Sequence, residues 1–92
     1  MAEWTFLTNH ALVLIFLAKH PQITARELSM LIGITERAVR KIIADLETEG
    51  YIEKAKEGRR IRYSINSKLP FRHHAQRDKA IGRLLCALGW KP

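Results

Sequence analysis

The sequence predicts a small domain that is mainly α with one β-hairpin (α+β): a three-helix core, the hairpin, and a C-terminal helix. Three observations predict it. Residues 24–43, TARELSMLIGITERAVRKII, read as two short capped helices around a glycine turn. Further on, the apolar period drops to two, with Ile61, Tyr63 and Ile65 on one side and Arg60, Arg62 and Ser64 on the other. A chain of 92 residues is enough for one domain and no more.

Residues 1–7 hold Trp4, Phe6 and Leu7 and read as an extended arm that packs on its own core or on a partner subunit. The first helix starts at Thr8 or Asn9, a good N-cap, and runs to Lys19 or His20, where Pro21 stops it. Its run Ala11–Ala18 is apolar nearly all round. One side can pack on its own domain, and a second copy would cover the other. The second helix opens with a capping box, Thr24-Ala25-Arg26-Glu27, and buries Leu28, Leu31 and Ile32. Gly33 ends it and Ile34 is the buried turn residue. Thr35 caps a third helix from Glu36 to about Glu49, whose apolar positions are Val39, Ile42, Ile43 and Leu46.

Gly50 ends that helix, and strands follow over Tyr51–Lys56 and from Arg59 or Arg60 to Asn66, with Glu57-Gly58 as the tight turn. The connector Ser67-Lys68-Leu69-Pro70 leads to a last helix, from Phe71 or Gln76 to Leu88, with Ile81, Leu84, Leu85 and Leu88 as its stripe and Gly89 as its stop. Residues 1–66 thus form the main unit (helix-turn-helix 24–49, hairpin 51–66), and 67–92 a C-terminal helical element.

Sixteen Lys and Arg against nine Asp and Glu give a net charge of +7. That balance favours an anionic partner, nucleic acid first and a membrane surface second. The single cysteine, Cys86, excludes an intramolecular disulfide and any multi-cysteine zinc motif, and suits a reducing cytoplasm. The apolar run Ala11–Ala18 is too short for a membrane span, which needs about 20 residues, and no basic segment precedes it as in a signal peptide.

The third helix carries the chemistry. Arg37, Arg40, Lys41 and Ala44 recur on one face, with the cations in the first half and Asp45, Glu47 and Glu49 in the second. Helix electrostatics prefer the reverse, at a few tenths of a kcal/mol or more, ~0.3–1, per charge. A local rule broken in this way points to a functional surface. Thr35, Glu36, Arg37, Arg40, Lys41 and Ala44 are therefore the candidate DNA-binding residues of the helix. Arg40 or Arg37 is suited to bidentate bonding with guanine, Ala44 to close approach or a thymine methyl, and Thr35 with the first amides to a phosphate. The bland alternative is a solvated face with local pairs such as Lys41 with Asp45.

On the hairpin, Lys56, Arg59, Arg60 and Arg62 are candidates for the DNA backbone or minor groove, Arg59 and Arg60 foremost because they follow the tip. The alternative is that these charges protect an exposed edge from aggregation. The six cations Lys68, Arg72, Arg77, Lys79, Arg83 and Lys91 near the C-terminus read by default as solubilising a dimer helix, with flanking DNA or lying on a membrane surface as the alternatives. His10, His20, His73 and His74, with Cys86 and Asp78, invite a metal reading, but adjacent histidines on a helix point to different sides, and no metal or other cofactor is expected. Without a phosphate loop, nucleophile elbow or carboxylate pair, neither is catalysis.

Residues 24–66 resemble the winged helix-turn-helix core of the MarR and ArsR families of prokaryotic transcription regulators. The resemblance rests on LSMLIGITERAVRKIIADLETEGYIEK and GRRIRYSIN, with Leu28, Ile32, Gly33, Ile34, Val39 and Ile42 at the apolar and glycine positions and Ser29 where a small residue packs between helices. It implies a homodimer on a roughly palindromic double-stranded DNA site, joined through the first and last helices. Trp4, Phe6, Leu12, Phe16, Ile81, Leu84, Leu85 and Leu88 are then the candidate dimer contacts. The expected function is a sequence-specific DNA-binding repressor, with a protein-interaction module that does not read DNA as the alternative class. The resemblance leaves room for a small-molecule effector, but the paired cysteines of metal-sensing ArsR members are absent from the sequence.

Overall fold

A computed structural model describes residues 5–72 and 77–91. Its element order is α1 (Asn9–Lys19), α2 (Ala25–Ile32), α3 (Glu36–Thr48), β1 (Ile52–Glu57), β2 (Arg60–Ile65) and α4 (Ile81–Ala87). Each of the first three helices begins on a threonine. The Thr8 hydroxyl accepts from the Ala11 amide at 3.1 Å, Thr24 from Glu27 at 3.1 Å, and Thr35 from Ala38 at 3.0 Å. Such caps satisfy amides that the helix itself leaves unpaired.

The three helices pack around one core. α1 contributes Val13, Leu14, Ile15, Leu17 and Ala18, α2 contributes Leu28, and α3 contributes Val39, Ile42, Ile43 and Leu46. Leu17 and Leu28 have no accessible surface. Truncating such a residue to alanine typically costs about 2–5 kcal/mol. The chain leaves α3 through a Schellman motif, in which Tyr51 N–H donates to Leu46 O (2.9 Å) and Gly50 N–H to Glu47 O (3.0 Å). This aims Tyr51 and Ile52 into the core.

β1 and β2 pair antiparallel, from Ile52 opposite Ile65 to Glu57 opposite Arg60. The two residues of the turn are therefore Gly58 and Arg59, one position later than the sequence reading placed it. Gly58 has φ +61° and Arg59 does not share the positive sign. That is the pattern of a type II′ turn, which wants glycine at its first central position and matches the twist of the strands. Tyr63 N–H donates to Pro21 O at 2.8 Å, so β2 is also bonded to the α1–α2 connection.

The last helix is shorter than expected. It starts at Ile81 rather than Phe71 or Gln76. Phe71 N–H donates instead to Lys79 O (3.2 Å) and Ile81 N–H to Leu69 O (2.6 Å), with an antiparallel bridge between Pro70 and Ala80. The amides around the connector thus find partners across a loop, not along a helix. A seven-residue helix does not stand on intrinsic propensity. α4 is held by burial of Ile81 and Leu85 in the shared core.

Candidate nucleic-acid interface

The helix-turn-helix forms as its local signals require. Glu27 Oε1 accepts from the Thr24 amide at 3.0 Å and completes the capping box. This amide, with the Thr24 hydroxyl, holds the Glu27 carboxyl below the usual glutamate range. Gly33 takes φ +84°, and its N–H and that of Ile34 both donate to Ser29 O (2.9 and 3.2 Å). Ser29 is half-buried, and its hydroxyl donates to Arg26 O at 2.7 Å. Of the expected α2 stripe, Leu28 is buried and Ile32 half-buried, but Leu31 is exposed.

On α3, Val39, Ile42, Ile43 and Leu46 face the core while Arg37, Arg40, Lys41 and Ala44 are exposed. Glu36 is half-exposed and binds Arg40: Nη2 and Nε both donate to Glu36 Oε2, at 2.7 and 3.2 Å. An exposed i,i+4 pair of this kind adds only about 0.3–0.5 kcal/mol to stability. Lys41 Nζ lies 3.8 Å from Asp45 Oδ1, the local pair weighed from the sequence. Arg37 makes no ion pair or side-chain hydrogen bond with another described residue.

The acidic half of α3 is tied to the rest of the molecule. Asp45 Oδ2 is 2.9 Å from His10 Nε2 on α1, Glu47 3.5 Å from Lys54 Nζ on β1, and Glu49 3.0 Å from Arg72 Nη2 beyond the hairpin. The reversed charge order therefore has two parts. The acids brace α3 against its neighbours, and the cations of its first half look outward.

Three bonds tie the hairpin to the α1–α2 connection. Besides the Tyr63–Pro21 bond, Gln22 Nε2 donates to Glu57 Oε1 (3.0 Å) and Arg60 Nη1 to Gln22 O (3.3 Å). Between α3, the start of α2 and the hairpin lies an open cleft of about 570 Å³. Arg40 and Ala44 line it from α3, and Lys54, Arg59, Arg60 and Tyr63 from the hairpin. The pleat divides the remaining wing cations. Lys56 is opposite Ile61 and shares its face, whereas Arg62 is opposite Ala55 and lines a shallower depression with Lys19 and Leu31. Lys54 and Gln22 were not among the sequence-derived site residues. Lys54 was visible as one more hairpin cation, but nothing in the local sequence connects Gln22 with Glu57, 35 positions away.

The expected dimer contacts separate into two groups. Ile81 and Leu85 are buried within their own subunit at 7% and 0% exposure, so they have no surface to offer a second copy. On α4 it is these two residues that pack into the shared core. Phe6 and Leu88 are exposed, and Leu12, Phe16 and Leu84 half-buried. Trp4 lies outside the described residues, as do His73 and His74. Cys86 is exposed. Among the described residues no helix is long and apolar enough to cross a membrane.

A sequence model of the MarR family matches residues 5–61, more than half of the chain. Among solved structures, the chain is similar to a predicted DNA-binding transcriptional regulator from E. coli, with 26% identity and a TM-score of 0.58, covering 85% of this chain and 70% of that one. It is also similar to MepR, a transcription regulator of the Staphylococcus aureus multidrug efflux pump MepA, at 13% identity and a TM-score of 0.59, over 88% of this chain and 56% of MepR. A mutant of Lactococcus lactis ZitR is 20% identical with a TM-score of 0.58, over 74% of this chain and 48% of ZitR. The latter two likenesses are of fold, and this chain spans about half the length of each protein. No curated protein matches the sequence.

Proposed function

Since this chain belongs to the MarR family of winged-helix transcription regulators, a family of DNA-binding proteins rather than enzymes, we propose that it binds double-stranded DNA sequence-specifically as a cytoplasmic homodimeric repressor. One arrangement carries this reading. Arg40 of α3 and Lys54, Arg59 and Arg60 of the hairpin line a single cleft, while the acids in the second half of α3 pair with His10, Lys54 and Arg72. A helix with that face fits a major groove, and a basic hairpin beside it fits the adjacent backbone or minor groove. In a homodimer two such helices enter successive major grooves about 34–36 Å apart. A small-molecule effector has a candidate seat in a second cleft, of about 530 Å³, lined by Leu14, Phe71 and Leu84 and edged by the His10–Asp45 and Glu49–Arg72 pairs.

Selection of bound fragments from a random DNA pool tests the proposal. The expected result is a consensus with two-fold symmetry. Its affinity should fall with salt at a log–log slope of about −0.9 per phosphate contacted. Recovery of no consensus together with salt-insensitive binding to a protein partner would overturn the proposal in favour of an interaction module.

A further inference from the structure

The Glu36–Arg40 pair sits on the face assigned to DNA, in the first turn of α3, with Arg40 lining the cleft. An acid there is at first sight a liability. It adds a negative charge where phosphates approach, and the pair is too exposed, at 42% and 68% of the two side chains, to matter much for stability. Its geometry has a different consequence. A guanidinium carries five N–H donors in a planar fork. Glu36 Oε2 takes two of them, one from Nε and one from Nη2. Three remain: both on Nη1 and the second on Nη2. The edge formed by Nη1 and Nη2 is therefore still able to give the two parallel bonds that guanine O6 and N7 accept. No other base offers two acceptors side by side in the major groove.

We propose that Glu36 is a positioning residue that holds the Arg40 guanidinium so that its Nη1/Nη2 edge reads a guanine in the major groove. The proposal rests on the DNA-binding function argued above and adds to it which residue sets the base preference. A free arginine loses rotamer freedom when it docks, and the pair with Glu36 biases Arg40 in advance toward the orientation that leaves this edge open. Arg37 supplies the contrast. It lacks such a partner and is suited to a phosphate, a contact that carries no sequence information.

The test compares affinities at one salt concentration for the selected site and for the same site with the guanine replaced by adenine, at the position whose preference Arg40→Ala erases. Positioning predicts opposite signs for two readouts. Glu36→Ala should lower the guanine preference about 2-fold, the bias that an exposed i,i+4 pair can impose, yet raise affinity for unrelated DNA several-fold, because a charge facing phosphates is gone. Glu36→Gln keeps an acceptor oxygen and the helix start, so it should retain an intermediate preference with the same gain on unrelated DNA. A merely structural role would lower affinity for all sequences in parallel, and that result overturns the proposal. So does a guanine preference left intact in both variants, their helix content matching the unaltered protein by circular dichroism. Absence of DNA binding by the unaltered protein, or an Arg40→Ala variant that keeps every base preference, sinks the underlying assignment of function or of base readout instead.

Discussion

Asp45 is where α1 and α3 meet through polar atoms. The hydrogen bond from the His10 ring holds its carboxyl below the usual aspartate range, partial burial works against this, and the charges of Lys41 and Arg72 add to the lowering. A carboxyl depressed in the folded state contributes stability above its unfolded value and loses it as pH falls through the native one. The α1–α3 brace should therefore weaken in acid. Carboxyl NMR titration should place the Asp45 midpoint below the ordinary value, and His10→Ala should move it back up. An unchanged midpoint in that variant would remove the hydrogen bond as the cause. Thr35 is the other residue whose role is local and separable. Thr35→Ala leaves the Ala38 amide without its cap and should lower stability by about 1 kcal/mol in urea unfolding.

Among the elements, the proposed DNA binding assigns α3 and the hairpin different parts. Arg40 faces the cleft from a rigid helix, so Arg40→Ala should relax the base preference. Arg60, already bonded to Gln22 O on a hairpin, should act on the backbone, so Arg60→Ala should weaken binding to all sequences alike. Equal, sequence-blind losses from both variants in a binding-site selection would show that α3 does not read bases. α4 makes a stability prediction. Its Gly82 N–H donates to Ser67 O at 2.8 Å, and a Cβ built on Gly82 would stand 2.8 Å from both the Ser67 carbonyl oxygen and its Cβ. Backbone cannot yield there as a side-chain tip can. Gly82→Ala should cost about 1–3 kcal/mol by overpacking and loosen α4 from the connector; an unshifted denaturation midpoint would contradict the close approach.

For the whole molecule, the question is how much apolar surface is left over. α1 looked exposed on one side in the sequence, yet five of its eleven residues are buried within the subunit and the packing of α3 and β2 covers much of it. Ile81 and Leu85 are absorbed likewise. Of the candidate contacts for the proposed dimer, Phe6, Leu12, Phe16, Leu84 and Leu88 are the described ones that keep area. Sedimentation at micromolar concentration without DNA should give a mass of two 10.6 kDa chains, and Phe16→Glu should reduce it to one. A single-chain mass in the unaltered protein would count against a pre-formed dimer.

Where each element begins and ends was legible in the sequence almost throughout. Thr8, Thr24 and Thr35 start helices and Gly33 and Gly50 stop them through bonds spanning three to five residues, and alternation around Tyr63 separates the two faces of β2. The cationic face of α3 was legible for the same reason. The sequence misplaced the hairpin turn by one residue because Glu57-Gly58 and Gly58-Arg59 offer the same glycine, and only the strand register chooses between them. Tertiary structure alone decided that Phe71 starts no helix, that Ile81 and Leu85 face inward, that Gln22 straps the hairpin, and that Asp45, Glu47 and Glu49 are spoken for by His10, Lys54 and Arg72. Apart from the nearby Glu47–Lys54 pair, these depend on partners eight or more positions away, whose proximity is a product of packing and leaves no periodic trace in the chain.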